Sequence, residues 1–267
     1  MPPLLAHRDE GEAGGSSALP LVLVHGHPFD HTMWAPQLSA FSPGRRVITP
    51  DLRGYGASPA AHGVTSMSAF AQDIEELLDT LHVGQCVLGG LSMGGQIVME
   101  YCARYPERVR GVLLADTFAA PETPEGRTAR NDMADRLLRE GMRGYADEVL
   151  HKMVAPHAPQ SVAAHVHRMM TATDPQGAAA ALRGRAERPD YRPVLTRLAV
   201  PALVVVGAED EYTPVRDART MHDLLPDSTL VVIDGAAHMP NLERPDEFNT
   251  ALADFLHRCD ASAARPV

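Results

Sequence analysis

Short apolar runs alternate with amphipathic segments along this chain. Each run has four to seven residues, is rich in valine and leucine, and shows no polar alternation. Such runs are typical of strands that are buried on both faces of a sheet. The predicted strands are 21–25, 46–49, 85–91, 109–115, 202–207 and 229–233.

The segments between these runs have the periodicity of amphipathic helices. In 66–81, Phe70, Ile74 and Leu78 recur every four residues, and acidic residues occupy other positions. The same pattern occurs in three more segments, 94–104, 215–225 and 245–259. Because strands alternate with helices, we predict an α/β fold with a mostly parallel, doubly wound sheet.

One long segment interrupts this alternation. From residue 118 to about 190 the chain has only helical patterns, rich in alanine, arginine and methionine and divided by prolines. A helical insertion after the strand that ends near Ala115 would lie over the ligand crevice of such a sheet. We therefore predict a core formed by 1–118 and 192–267 and a helical lid at 119–191. A peripheral helical subdomain without substrate contact is the alternative.

Composition limits the classes of function. The 267 residues are 45% hydrophobic and 22% charged, which is ordinary for a globular protein. The formal net charge of -10 disfavours nucleic acid and anionic membranes as partners. The three cysteines are too few for a disulfide framework, and residues 1–20 do not have the pattern of a signal peptide. We therefore predict a cytoplasmic protein, and the composition leaves a homodimer open.

The strongest chemical signal is the segment Gly-Leu-Ser-Met-Gly at 90–94, between a predicted strand and a predicted helix. A sharp turn there would expose the serine hydroxyl, and it needs glycines because larger side chains would collide with the neighbouring backbone. The N-terminus of the following helix would stabilise a developing oxyanion. We interpret Ser92 as a nucleophile, with a glycine-rich turn and a capping serine as the alternative.

A base and an acid follow this serine in the chain. His238 lies on the loop after the last predicted strand, and Asp210 lies just past the strand before it. His238 would accept the proton of Ser92, and Asp210 would fix the imidazole tautomer. The rival acids nearby in sequence are Glu209, Glu211 and Asp234.

The histidine-rich segment 25–31 offers a competing interpretation. It resembles the His-x-His-x-Asp-His zinc motif of metallo-β-lactamase-like hydrolases, but it has one additional residue before Asp30. That residue would displace the last two ligands, and the geometry of zinc ligands is strict. We therefore predict no metal and no other cofactor, and we expect His25 to brace the loop that carries His27.

Five blocks, in the right order, resemble the α/β-hydrolase superfamily over nearly the whole chain: 25–28, 51–58, 90–95, 207–214 and 237–243. The resemblance implies a catalytic triad of Ser92, Asp210 and His238. It also implies that the backbone N–H groups of His27 and Met93 form the oxyanion hole. The chain is most similar to the 3-oxoadipate enol-lactonase and small esterase group, with the cofactor-free haloperoxidases as close relatives.

This resemblance implies a serine hydrolase that cleaves a carboxylic ester or lactone of a small molecule through an acyl-Ser92 intermediate. A carbon–carbon bond hydrolase, a thioesterase or a perhydrolase would use the same triad, and a ligand receptor could retain it. The side chains expected to contact the substrate are His27, Trp34, Met93 and Met239, although for Trp34 the favoured interpretation is packing against the core. Arg127, Arg130 and Arg136 fit a solvated helix face, but one of them could bind a substrate carboxylate.

Overall fold

The structure is a computed structural model that describes residues 5–11, 18–59 and 62–263. The remaining short segments belong to the predicted core and lie outside the described residues. The described residues form a seven-stranded sheet in the order β1-β3-β2-β4-β5-β6-β7. Its strands are β1 (His7–Glu10), β2 (Leu21–Val24), β3 (Val47–Pro50), β4 (Cys86–Leu91), β5 (Val109–Ala115), β6 (Ala202–Gly207) and β7 (Ser228–Ile233).

Strand β1 pairs antiparallel with β3, and every other neighbouring pair is parallel. The predicted fold class and its six strands are thus confirmed. Sequence reasoning missed β1 because His7–Glu10 contains no apolar residue, and this strand lies largely exposed at one edge. The expectation of burial on both faces is wrong for β7, where only Ile233 is buried, because this strand forms the other edge.

Helices cover both faces of the sheet. The predicted helices at 66–81, 94–104, 215–225 and 245–259 are present, with small differences at their ends. The α-helices are α1 (Ala35–Phe41), α2 (Met67–Thr80), α3 (Met93–Arg104), α4 (Pro124–Glu140), α5 (Met142–Met153), α6 (Gln160–Ala172), α7 (Pro175–Ala186), α8 (Arg192–Leu195), α9 (Val215–Leu224), α10 (Pro240–Glu243) and α11 (Pro245–Ala263). Two 3₁₀ helices, His31–Trp34 and Pro106–Arg108, complete the set for the described residues. No helix in the described ranges is long and apolar enough to cross a bilayer.

Two hydrophobic cores lie on opposite faces of the sheet, because successive side chains of a strand point to opposite sides. In β2, Val22 and Val24 belong to the core beneath α2 and α3. Leu21 and Leu23 belong to the other core, which α11 covers with Phe255 and its apolar neighbours. The central strands are therefore almost entirely buried, and their ends have fixed positions.

Helices α4–α7 fill the interval between β5 and β6, where only helical patterns were predicted. Helix α4 packs against α7, and α5 packs against α6. Helix α7 also lies directly on the sheet domain, since a Cβ added at Gly177 or Gly184 would collide with the backbone of Gly54 or Thr65. These close approaches hold the helical segment in place at the edge of the sheet.

Candidate active site

Four polar residues directly follow or lie just beyond four neighbouring strands. Ser92 follows β4, Asp116 follows β5, Asp210 lies in the loop after β6, and His238 lies in the loop after β7. Parallel strands end at one edge of a sheet, and ligands of open α/β sheets bind in the crevice there. The topology therefore brings these side chains to one place.

Ser92 occupies a sharp turn between β4 and α3. Its φ of 56° lies in the left-handed region, which is uncommon for a residue other than glycine. The turn is tight on both sides, because a Cβ at Gly94 would meet the carbonyl oxygen of His25 at 2.7 Å and a Cβ at Gly90 would meet the amide nitrogen of Gly95 at 2.7 Å. This is the backbone geometry predicted from the glycine spacing.

Asp210 holds His238 by a 2.8 Å hydrogen bond between Oδ2 and Nδ1. The carboxylate also accepts hydrogen bonds from the backbone N–H of Tyr212 at 2.8 Å, from that of Thr213 at 3.1 Å, and from the Thr213 hydroxyl. Burial alone would raise the pKa of Asp210, but the charge and hydrogen bond of His238 and the hydrogen bonds of Thr213 lower it well below its usual range. Asp210 is therefore ionised at neutral pH.

The three rival acids point elsewhere. Glu209 is exposed and lies 3.8 Å from His157, and Glu211 is exposed and lies 3.6 Å from Lys152. Asp234 is also exposed, in the turn after β7. Asp210 is thus the acid, among those weighed from the sequence, that contacts His238.

Ser92 and His238 line the same cavity, which has a volume of about 110 Å³. An engineered cavity of about 150 Å³ holds benzene, so this space is smaller than one that accommodates a six-membered aromatic ring. Both the sheet edge and the inserted helices contribute to its walls. The other lining residues are His27, Phe118, Arg130, Tyr145, Met153, Leu182, Arg185, Tyr212 and Thr213.

His27 and Met93, whose backbone N–H groups are predicted to form the oxyanion hole, each follow a residue at the turn: His27 follows Gly26, and Met93 follows Ser92. Gly26 precedes His27 and packs on the serine, since an added Cβ would lie 3.3 Å from Ser92 Cβ. Met93 is the first residue of α3, where an N–H group has no partner within the helix. Hydrogen bonds between the described residues use neither amide.

His25 braces this loop in the predicted way. The backbone N–H of Leu52 donates to His25 Nε2 at 2.9 Å, so Nδ1 carries the proton and donates to the carbonyl of Gly26 at 2.8 Å. Both ring nitrogens are therefore occupied, and His25 is not available to ligate zinc. His31 instead contacts Asp51, with 2.8 Å between Nδ1 and Oδ1.

The His27 side chain lines the cavity as a neutral imidazole. Burial lowers its pKa well below the usual value, and the nearby charges of Arg185 and Arg130 lower it further. Its Nδ1 lies 2.8 Å from the Tyr55 hydroxyl, whereas its buried Nε2 has no hydrogen-bond partner in the part of the chain that the structure describes. This nitrogen is a candidate contact for a bound ligand.

The other three residues expected to contact substrate do not line the cavity. Trp34 is fully buried, and its ring lies 6.1 Å from that of Phe248 in the core under α11. Met93 and Met239 are also fully buried, one in each core. We correct the prediction for these side chains, because large apolar groups beside the strand ends are used for packing.

Sequence reasoning missed Arg185, which lines the cavity from α7. Its Nε donates to the Gln96 side chain at 3.1 Å, and no carboxylate among the described residues pairs with it. Burial and the charges of Arg130 and Arg188 lower its pKa well below the usual value. A signal existed, because the alanine- and glycine-rich sequence of α7 is typical of a helix buried on all sides.

Among the arginines noted in the sequence, Arg130 also lines the cavity, but it pairs with Glu122. Arg127 and Arg136 form ion pairs with exposed glutamates at the surface, as expected for a solvated helix face. The helical segment therefore presents one paired and one unpaired guanidinium group to the cavity.

Known proteins provide an independent comparison. The family model described as "alpha/beta hydrolase fold" matches residues 20–245. 3-Oxoadipate enol-lactonase 2 of Acinetobacter baylyi is 31% identical over 231 residues, which are 85% of this chain and 84% of that protein. A thermophilic esterase from Thermogutta terrifontis, solved with malate bound, is 37% identical with a TM-score of 0.91, over 96% of this chain and 94% of that one. The enol-lactonase from Burkholderia xenovorans LB400 is 32% identical with a TM-score of 0.87, over 95% and 96%.

Proposed function

We propose, on the premise that the chain belongs to the α/β-hydrolase family, that it is a serine hydrolase acting on small molecules. It cleaves a carboxylic ester or a lactone, the reaction class of its enol-lactonase and esterase relatives. One observation carries the proposal. Ser92, at a turn with positive φ, shares a cavity with His238, which Asp210 holds by a 2.8 Å hydrogen bond.

In the proposed reaction, the Ser92 hydroxyl attacks the carbonyl carbon while His238 Nε2 accepts its proton. The oxyanion that forms accepts hydrogen bonds from the amide N–H groups of His27 and Met93. As the tetrahedral intermediate collapses, the C–O bond to the alcohol breaks, and His238 donates its proton to the departing oxygen. Water then attacks the acyl-Ser92 carbonyl by the same steps, and the carboxylic acid is released.

Asp210 has a positioning and electrostatic role in this reaction. Because Nδ1 of His238 donates to Asp210, Nε2 is the nitrogen that can accept a proton from Ser92. The lowered pKa of Asp210 keeps it ionised, and its charge stabilises the imidazolium that forms in each transition state.

We also propose that residues 119–191 act as a lid over the cavity. Two hydrogen bonds support this assignment by linking the segment to the loops of the site. The Thr173 hydroxyl donates to the carbonyl of Pro28 at 3.0 Å, next to the oxyanion loop. The N–H of Ala155 donates to Glu243 at 2.7 Å, and the same carboxylate accepts from the loop that carries His238.

The substrate proposed for this cavity carries a carboxylate. A buried guanidinium without a counter-ion is unfavourable, and a carboxylate can satisfy it with two parallel hydrogen bonds. Arg185 fits this description, and the neutral His27 offers a further polar contact beside it. The relatives support the same class, since one acts on an enol-lactone of 3-oxoadipate and another was solved with malate bound.

A hydrolysis screen tests the proposal. The panel contains p-nitrophenyl esters, aryl esters and lactones, with Ser92→Ala as the blank. It pairs the monomethyl ester of a short dicarboxylic acid with the dimethyl ester, and we expect kcat/KM to be about 10²-fold higher for the monoester. A second panel contains a thioester, a β-diketone, and a carboxylic acid with hydrogen peroxide. Hydrolysis of only one of the first two, or formation of only a peracid from the third, would select the corresponding alternative reaction. Tight binding without turnover would indicate a receptor and contradict the enzyme.

A further inference from the structure

Asp116 is a buried carboxyl group at the site that the proposed mechanism does not use. It follows β5 directly, and its backbone N–H donates to the carbonyl of Val205 in β6 at 2.9 Å. Its φ of 42° lies in the left-handed region. One side-chain oxygen accepts from the N–H of Gly207 at 2.9 Å, whereas the other, Oδ2, is buried and meets no N–H or hydroxyl donor among the described residues.

This carboxyl group lies beside both members of the acid–base pair. One carboxylate oxygen of Asp116, one carboxylate oxygen of Asp210 and one ring nitrogen of His238 all lie within 4.8 Å of one another. A hydrogen bond between the carboxyl groups of Asp116 and Asp210 is among the causes that raise the pKa of Asp116, so the two groups are close enough to share a proton. No other carboxyl group in the described residues belongs to this cluster.

Two carboxylates this close in a buried site do not ionise together. Burial raises the pKa of Asp116 well above its usual value, and the charges of Asp210 and Glu243 raise it further. His238 and Thr213 lower the pKa of Asp210 instead. Of the two carboxyl groups, Asp116 therefore binds a proton more readily and Asp210 holds the negative charge.

We propose that Asp116 is a second acid of this site: it positions Asp210 by donating a hydrogen bond, and it replaces Asp210 as the anionic partner of His238 when Asp210 is neutralised. The inference rests on the proposed function, because it assumes that His238 needs an anionic partner. Replacing Asp210 with asparagine removes the negative charge that keeps Asp116 protonated. Asp116 then releases its proton to solvent, and its carboxylate stabilises the imidazolium of His238.

Three variants test this proposal: Asp210→Asn, Asp116→Asn and the double variant. Loss of the acid from a triad usually lowers kcat about 10⁴-fold. We expect Asp210→Asn to lose only about 10²-fold, and the double variant about 10⁴-fold. Asp116→Asn alone should lose no more than about threefold, because its amide can still donate to Asp210 and Asp210 keeps its charge. Asp210→Asn combined with Asp223→Asn, an exposed position on α9, is the matched control and should equal Asp210→Asn.

The pH profile of kcat/KM separates this role from a merely structural one. A neighbouring carboxylate raises the pKa of a histidine, typically by one to three units. We therefore expect the acid limb of Asp210→Asn to remain near that of the wild type, and that of the double variant to move to lower pH by about one unit or more. Thermal unfolding of each variant identifies any loss that comes from misfolding.

Two results would overturn the inference. One is a double variant whose kcat and acid limb equal those of Asp210→Asn, and the other is an Asp210→Asn variant as inactive as Ser92→Ala. Failure of the proposed function gives a different result, because Ser92→Ala would then retain the activity of the wild type whatever happens at Asp116.

Discussion

The sheet side and the helical side of the cavity contain buried charges of opposite sign. At the strand ends, Asp116, Asp210 and Glu243 surround His238, and one of these carboxyl groups is ionised in contact with the imidazole. On the helical side, Arg185 and Arg188 are buried. Glu122 forms ion pairs with both Arg188 and Arg130. The acids have hydrogen-bond partners within the protein, whereas Arg185 donates to Gln96 and pairs with no carboxylate among the described residues.

This difference separates the residues that take part in the proposed reaction from the residue that is proposed to recognise the substrate. In the proposed reaction His238 transfers a proton in every turnover and must be held in place by the protein itself. Asp210 holds it, and the four hydrogen bonds that Asp210 accepts fix Asp210 in turn. A group that recognises a substrate must keep its bonding capacity until the substrate arrives, as Arg185 does. We therefore expect substitutions on the sheet side to lower activity toward all substrates, and substitutions on the helical side to change the preference among them.

The largest effect is expected at the strand ends. Ser92→Ala and His238→Ala should each lower kcat by a factor on the order of 10⁴ to 10⁶ for every substrate, because each removes a group that takes part in bond formation. Steady-state kinetics on esters with and without a carboxylate checks this. Ser161→Ala, at an exposed position of α6, serves as the control. Retention of a tenth of the activity by Ser92→Ala would contradict the assignment.

The next effect concerns selection on the helical side. Arg185→Met should lower kcat/KM for a carboxylate-bearing ester by a factor of about 10² to 10³ and leave the matched diester within about threefold. Because the unpaired buried charge is removed, the free energy of unfolding should stay the same or rise. Arg183→Met, at a half-buried position of α7 two residues away where the arginine pairs with Asp135, should not alter the ratio. Equal losses on both esters would disprove selection by Arg185.

A smaller effect is expected on the free energy of unfolding when one glycine on each side is replaced by alanine. Gly94→Ala should lower the free energy of unfolding by about 3 kcal/mol, because the new methyl group would collide with the backbone of β2 and the following residue. Gly144→Ala, in α5 with no neighbouring atom within 4 Å of the added Cβ, should raise it by about 0.5 to 1 kcal/mol. Urea denaturation measures both values, and equal changes would contradict the account.

The smallest effect is a pH-dependent contribution of His31 on the sheet side. The hydrogen bond and charge of Asp51 raise the pKa of His31 despite its partial burial. A histidine with a raised pKa stabilises the fold fully below its unfolded pKa of about 6.5, and this contribution is lost as the pH rises through the folded value. His31→Gln should therefore lower the free energy of unfolding by about 0.5 to 1 kcal/mol more at pH 5.5 than at pH 8.5. An equal cost at the two pH values would show that no charge is involved.

The two sides also differ in how far the sequence predicts them. The strands are recognisable because both of their faces are buried, and the turn at Ser92 is recognisable because two backbone collisions require glycines around it. Strand β1 could not be found in this way, since it is held by backbone pairing with β3 and buries little of itself.

On the helical side, the sequence predicts helices but not which charges face the cavity. Arg127, Arg130 and Arg136 lie on one helix and are the same residue type, yet only Arg130 lines the cavity. The orientation of α4 and α7 relative to the sheet decides which arginine faces the cavity. That orientation depends on contacts between segments far apart in the chain. The close approach of Gly184 to Thr65, which holds α7 near Arg185, is one such contact.

The most direct test of the central claim is covalent labelling with diethyl p-nitrophenyl phosphate, followed by peptide mass spectrometry. Attack by an activated serine forms a serine–phosphorus bond and releases p-nitrophenolate. We predict one diethylphosphoryl group per chain, on the peptide that contains Ser92, and no labelling of Ser92→Ala. An enzyme that hydrolyses esters while Ser92 remains unlabelled, or that carries the label on another residue, would contradict the account.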